Sequence, residues 1–382
     1  MDEILLSVVI PTYNRYKYLK GCLEATTKIE SSQMEIIVQD NTLDNHEILQ
    51  FISDLNDNRI KYYHIADHIS VDKNCDFGIK HAIGKYVCMI GDDDTICASM
   101  IEAAAFCDRN KIDSCNFIFP GFNWPDMTFI KKKKEANLFY KIKADGSVKI
   151  INPYKELYYA ICKAEGLSDR MPKVYHGIVS KECLDRVLKK AGTYFPGPSP
   201  DMANAVAVCL ESKRAIFIKD YLMVSGYGYD SARGQGNRQQ HYGKLTNMPW
   251  LPKDILQRWD KNLPEIFSGE TITAQSLIES LKRMGRKNLA AKYNYSSFYA
   301  IFLYHHRDAF PEMFQFCIKK PQRFVMLMVG TIERLMAIIG YQLKKEKITY
   351  LKEIQEVDNL IAAQEYTDQM RKDITEYKWI ND

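Results

Sequence analysis

The sequence predicts an α/β fold, built on a mostly parallel central sheet flanked by helices and followed by an all-helical C-terminal region. Three observations carry this expectation. Short runs rich in Val, Ile and aromatic residues recur through the first 120 residues. Amphipathic helical spacing fills the gaps between them. Beyond about residue 250 the helical spacing continues almost without strand signals.

The predicted strands are "LLSVVI" (5–10), "MEIIVQ" (34–39), "RIKYYHI" (59–65), "KYVCMI" (85–90) and "DSCNFIF" (113–119). Between them Leu19, Cys22, Leu23 and Thr26 share one helical face, and Ile48, Phe51, Ile52 and Leu55 share another. Strands that are nearly all apolar read as a sheet covered on both sides. Residues 120–152, with "KKKK" at 131–134, break the pattern and read as an excursion or hairpin over the sheet. Mixed signals return from 153 to 225: strands in "KVYHGIVS" and "RAIFIKDYLMVSGYG", helices near 153–163, 181–190 and 201–212. The stretch "GYGYDSARGQGNRQQH" then reads as a mobile loop and the best domain boundary. We therefore expect a domain over 1–240, with halves of about 1–120 and 121–240, and a helical domain over 241–382 in which Pro311 and Pro321 interrupt the helices.

Composition narrows the function without naming it. A chain of 382 residues exceeds the usual single domain. Its net charge of +4 is too small to imply nucleic acid. Ten cysteines without a CxxC pair or zinc spacing read as small hydrophobes in a reducing cytosol. Acidic residues follow Met1 where a signal peptide would be basic, so export by that route is not expected. The longest apolar run, Phe324 to Gln342, has Glu333 and Arg334 at its midpoint. Each would cost about 2.5–3.5 kcal/mol at the centre of a bilayer, which argues against a span. A core helix of a bundle is the expected role, and an in-plane helix helped by nearby lysines and arginines is the alternative.

Ligands of open parallel sheets bind beyond the carboxyl ends of the strands. Three polar clusters fall there: Pro11-Thr12-Tyr13-Asn14-Arg15, Asp40-Asn41-Thr42-Leu43-Asp44, and Asp92-Asp93-Asp94. Three consecutive carboxylates repel. At about 5 Å and an effective dielectric of 20, each pair costs about 3 kcal/mol, so the cluster needs a cation or must stay partly protonated. Mg²⁺ or Mn²⁺ suits oxygen donors and keeps positions for a substrate's phosphates. The plainer alternative has Asp94 capping the helix near Ile96, with Asp92 and Asp93 solvated.

At these residues the sequence resembles the family 2 glycosyltransferases of the nucleotide-diphospho-sugar transferase (GT-A) fold. "SVVIPTYNR" (7–15) is similar to their opening strand and loop, "IIVQDNTLD" (36–44) to their second strand, and "NCDFGIKHAIGKYVCMIGDDD" (74–94) to their approach to the metal motif. The resemblance covers about residues 4–225. It implies that Pro11, Thr12, Tyr13 and Arg15 cup the nucleotide base and phosphates, that Asp40 meets the base, and that Asn74 lies near the sugar nucleotide. It further implies that Asp92 holds the ribose, Asp93 coordinates the metal and Asp94 supports that shell. Lys73 stands where an arginine is usual, and His68 where a glycine is common.

The residue types agree with these roles. A planar base wants a carboxylate acceptor at its imide N–H, such as Asp40, and a flat wall such as Tyr13. Asp40 is equally suited to an Asx turn, and Tyr13 to packing. Transfer with inversion also needs a base for the attacking hydroxyl. Asp201 in "GPSPDMANAVAV" (197–208) resembles the family's catalytic carboxylate, with Pro200 in place of the first acid of the usual Glu-Asp pair; its alternative is an N-cap worth about 1 kcal/mol. His176, and a lid carrying Arg233, Arg238 and His241, are further candidates for the donor phosphates, a satisfied core position being the other reading of His176.

The expectation is thus a cytosolic, Mn²⁺- or Mg²⁺-dependent inverting glycosyltransferase that moves a sugar from a nucleoside diphosphate sugar, a UDP-sugar first among them, to a glycan hydroxyl. The resemblance points to capsule, O-antigen or lipopolysaccharide synthesis, a lipid-linked acceptor among the options, and membrane docking or self-association through the C-terminal helices. A nucleotidyltransferase or a non-catalytic nucleotide-sugar reader is the alternative. "PTYNRYKYL" lacks the glycine-rich phosphate loop that the former would want.

Overall fold

The computed structural model describes residues 3–380 apart from 130–131, 134–136, 165, 169, 232–233, 236–241, 345–351 and 355–356. Arg233, Arg238 and His241, expected in a lid, lie outside the described residues. The first half winds β1 (Leu6–Thr12), α1 (Tyr16–Thr27), β2 (Met34–Asp40), α2 (His46–Leu55), β3 (Ile60–His64), α3 (Val71–Lys80) and β4 (Tyr86–Met89). The strands lie in the order β4-β1-β2-β3, all parallel. Every residue of β2 is buried, as an apolar strand covered on both faces must be. Leu19, Cys22, Leu23 and Thr26 of α1 are buried as their spacing predicts, whereas on α2 only Ile48 is fully buried. Close packing of α3 depends on Gly78, because a Cβ there would come within 2.7 Å of Val9.

The nine-stranded sheet continues through Ile178–Ser180, antiparallel between β4 and β6 (Ser114–Ile118), and then Ala215–Tyr221, parallel to β6. Between β4 and β6 come β5 (Thr95–Ile96) and α4 (Ser99–Arg109). The excursion expected over 120–152 divides: β7 (Gly121–Asn123) and Asn137–Tyr140 enter a second, five-stranded sheet, and Ser147–Ile151 joins the central one. Helices α5 (Pro153–Lys163), α6 (Lys181–Ala191) and α7 (Pro200–Glu211) fall where their signals stand.

From Gly269 the chain is helical: Gly269–Arg283, Tyr295–His305, Phe310–Ile318 and Pro321–Lys344. Pro311 and Pro321 lie in the first turns of their helices, where a missing N–H costs nothing. Leu277, Ile278 and Leu281 pack with Met202, Ala205 and Val206 of α7, so the helical region and α7 share one core. Fully burying such a side chain contributes about 1.5–3 kcal/mol.

Two expectations change here. The apolar run after Phe324 forms part of a long helix, but as far as Met336 it is not a core helix: its apolar side chains there are largely exposed, Val325 at 59% and Met336 at 67%. No helix among the described residues is long and apolar enough to cross a membrane. The final helical pattern, in turn, leaves its neighbours. Leu360–Met370 returns to the first domain, where Gln364 Nε2 donates to the Ile96 carbonyl of β5, in the second sheet, at 2.6 Å, and Arg371 pairs at 2.8 Å with Asp220 of the central sheet, which is fully buried. Lys378–Trp379 then adds an edge strand beside Ser147–Ile151. Polar anchors at both ends of this segment explain why a helical pattern alone did not place it.

Candidate functional site

Strands β1 and β4 are neighbours, yet the chain between them winds through β2 and β3 on the far side of β1. Their carboxyl ends therefore flank the topological switch point, where a crevice opens. The register pairs Leu6 with Tyr86 and Val9 with Met89, which brings Thr12 level with Asp92. Thr12 Oγ1 donates to Asp92 Oδ2 at 2.7 Å.

The acidic turn is held from three sides. Asp94 accepts at Oδ2 from Gly91 N at 2.7 Å and meets His176 Nε2 at 2.7 Å, while its Oδ1 accepts from Gly226 N at 2.8 Å. Both oxygens are thus committed within the fold, so Asp94, expected beside Asp93 on a metal, shapes the turn that presents Asp93. His176 makes that contact from a left-handed backbone, φ 56°, a conformation that costs a non-glycine residue energy. Asp93 accepts from Gly228 N at 3.2 Å, and its carbonyl from Trp124 Nε1 at 3.0 Å. Strand Met223–Tyr227 can run this close only because residue 226 is glycine: a Cβ there would lie 1.7 Å from the Asp93 carbonyl oxygen.

Arg15 faces the cluster, with Nη1 at 3.0 Å from Asp92 and Nη2 at 2.9 Å from Asp93, its guanidinium over the Tyr18 ring. One guanidinium does not balance the cluster. Burial, with Asp94 and Asp92 adding to it against Arg15, pushes Asp93 up to about 7, and burial raises Asp92 as well. Among the described residues no group of three or more His, Cys, Asp or Glu side chains is arranged to hold a metal. The donor set nevertheless fits a hard divalent ion: Asp92 and Asp93 offer carboxylate oxygens whose charge the protein leaves incompletely opposed.

The base-side residues separate. Tyr13 is 42% exposed and meets His68 edge-on, centroids 5.5 Å apart, leaving a flat face available. Pro11 is partly buried beside it. Asn14 in the left-handed region, φ 54°, donates from N to Thr42 Oγ1 at 2.8 Å and joins the first two loops. Asp40 differs from the expectation that it faces a base. It has no exposed surface, accepts from Tyr16 OH at 2.6 Å and Tyr62 OH at 2.7 Å, and takes Thr42 N at 2.8 Å in an Asx turn. Asn74 donates to the Thr12 carbonyl at 3.2 Å; its Oδ1 is buried without a partner, as are both amide atoms of Gln39.

Asp201 opens α7, partly exposed, and its Oδ1 accepts from Ser199 Oγ and, at 2.7 Å, from Met202 N. The phenol of Tyr175 is raised first by burial and then by the charges of Asp94, Asp93 and Asp201, with Arg15 acting against them. Ser199 N donates to Ser276 Oγ at 2.8 Å, which ties the approach to Asp201 to the helix Gly269–Arg283. Sequence reasoning missed the clamp by Gly226 and Gly228, taken as the start of a loop; the close glycine pair after a strand was its one signal.

The sheet order and acidic crevice place the first 225 residues in the class of open, mostly parallel α/β domains that take ligands at the carboxyl ends of their strands. More particularly, residues 7–155 match the model of Glycosyl transferase family 2. The glycosyltransferase GlyG of Streptococcus pneumoniae is 34% identical over 99 residues, 26% of this chain and 33% of its own. EpsJ of Bacillus subtilis, also a glycosyltransferase, is 27% identical over 136 residues, 35% of this chain and 39% of its own. The chain thus spans about a third of the length of these curated relatives. Among solved structures, S. aureus TarS 1-349 in complex with UDP-GlcNAc is similar at 21% identity and a TM-score of 0.43, covering 59% of each chain. The mannosyltransferase PcManGT of Pyrobaculum calidifontis, in complex with GDP-Man and Mn²⁺, gives 14% and 0.42 over 91% of this chain and 89% of its own.

Proposed function

We propose that this protein is a metal-dependent, inverting glycosyltransferase that moves a sugar from a nucleoside diphosphate sugar to a hydroxyl of a glycan acceptor, in the synthesis of a bacterial surface polysaccharide. The observation that carries the reading is the under-compensated carboxylate pair Asp92–Asp93 at the switch point. Those two residues would hold Mn²⁺ or Mg²⁺, which neutralises a leaving diphosphate. Tyr13 supplies the wall for the base, Pro11 and Thr12 the loop beneath it, and Arg15 a guanidinium for phosphate oxygens. Asp40 acts through the loop that it holds, and Asn74 joins the strand ends beneath the sugar nucleotide. Asp94 sets the turn. Asp201 takes the proton of the attacking hydroxyl at a carboxylate oxygen.

A UDP-sugar is the first donor to try, in keeping with the UDP-GlcNAc bound by TarS. The domain division proposed with this reading runs at about residue 240, with the last described helix returned to the first domain. A cytoplasmic setting is supported by ten free thiols, all but Cys162 buried. The test is thermal unfolding of the full chain against nucleoside diphosphates and nucleotide sugars, with and without Mn²⁺. Stabilisation that needs both nucleotide and metal supports the reading; its absence across the panel overturns it.

A further inference from the structure

Over residues 321–336 the helix Pro321–Lys344 turns only a narrow face to the protein. Arg323, Leu327 and Gly330 are buried, and a Cβ at Gly330 would lie 1.9 Å from the Ser296 carbonyl, so that face is fixed against the helix Tyr295–His305. The opposite side is unusual. Seven large apolar residues between Phe324 and Met336 are exposed, and at about 100° per residue they occupy one arc of about 140°. A solvated helix would carry polar residues there, and a core helix would have them covered.

The preceding helix extends the same surface. Phe310, Phe314 and Ile318, at four-residue spacing, are all exposed. Phe310 stacks on Phe314 at 5.8 Å, and Phe314 meets Phe324 edge-on at 6.1 Å, which joins the two apolar faces. Lys319 and Lys320, both exposed, stand at the junction. Residues 306–350 contain eight Lys and Arg against four Asp and Glu, so this segment carries the whole net charge of +4 and the rest of the chain is balanced.

We propose that this two-helix face docks on an anionic phospholipid bilayer, with the apolar arc at the boundary between head groups and acyl chains and Lys319 and Lys320 among the head groups. Charge selects this occupant. A two-fold contact with a second copy would set the positive segment against itself, whereas an anionic surface complements both the stripe and its charge. The inference does not rest on the transferase reading, and a vesicle assay tests it without substrate.

The test is flotation of the full chain with vesicles of phosphatidylcholine alone and of phosphatidylcholine with about one third phosphatidylglycerol. The expected result is at least about tenfold stronger partition to the anionic vesicles, weakened by salt. The double variant Lys319→Glu/Lys320→Glu loses about tenfold or more of that partition. Leu335→Ser/Met336→Ser, at exposed positions and with an unchanged melting temperature as its control, loses it as well. Equal partition to both vesicle types, no partition to either, or a dimer that the serine variant dissociates without any vesicle binding would each overturn the proposal.

Discussion

Asp93 and Glu270 are both carboxylates taken largely out of water, with side chains 7% and 22% exposed, and they titrate in opposite directions. Asp93 is pushed up to about 7; Glu270 is brought down to about 2. Burial raises both. At Glu270 it is outweighed by hydrogen bonds with His306 at 2.9 Å and His305 at 2.7 Å, in the first turn of a helix whose dipole favours an anion. At Asp93 the strongest neighbours besides Arg15 carry its own sign. One site is completed by the chain, and the other, where the cation is proposed, keeps a charge that its own neighbours leave incompletely opposed. A buried carboxylate marks a ligand site when the protein fails to finish its electrostatics, not merely when it is buried.

The sharpest way to break this comparison is to neutralise both acids. Asp93→Asn is expected to lower sugar transfer about 10³-fold and to abolish Mn²⁺-dependent thermal stabilisation. Glu270→Gln should leave transfer within about threefold, since the helical region only buttresses α7. Full turnover by the Asp93 variant, measured with a donor that stabilises the wild type, would remove the distinction. Asp201→Asn comes next, with a loss of about 10²–10⁴-fold in transfer. Donor affinity, followed by the same thermal shift, should stay unchanged; a parallel loss of donor binding would mean that Asp201 only caps α7.

At Glu270 the effect is on stability. Its carboxyl falls from an ordinary 4.5 to about 2, so the stabilisation is fully present above pH 4.5 and is lost as pH falls through about 2. Urea unfolding at pH 7 should show Glu270→Gln weaker by about 2–3 kcal/mol, a gap that closes on acidification toward pH 2. A gap independent of pH would assign the loss to packing.

Much of this contrast was legible in the sequence, and the missing part has a physical cause. The apolar runs ending at Ile10, Gln39 and Ile90 announced parallel strands, and the rule for strand ends then gathered Thr12, Asp92 and Asp93 correctly at one crevice. Side-chain direction was not legible. Asp40 and Asp93 both follow apolar strands, yet Asp40 is saturated by Tyr16, Tyr62 and the Thr42 amide, partners that only the folded register delivers. Arg15 was named for phosphates, but its distance from Asp92 could not be read from a gap of 77 positions. The clamp by Gly226 was hidden because glycine signals a loop as readily as a close approach. The helix from Leu360 shows the same limit, since its periodicity gave the element and not the surface that receives it.

The smallest effect belongs to Asp93 without ligand, and its sign is opposite to that of Glu270. An acid raised from an ordinary 3.8 to about 7 favours the folded state only while protonated, so the native protein loses stability as pH climbs from about 4 to 7. Asp93→Asn has no such charge to bury. Its melting temperature relative to the wild type should rise across that interval and level off above about pH 8, by an amount equivalent to about 1–2 kcal/mol, less than the full shift because relaxation and water entry soften the burial of the charge. Adding Mn²⁺ with nucleotide should shrink the difference at pH 8 by stabilising only the wild type, because an ion held by Asp93 favours its charged form. A difference that is flat from pH 4 to 8 would mean that Arg15 already balances the turn, and the incomplete site would then be no different from Glu270.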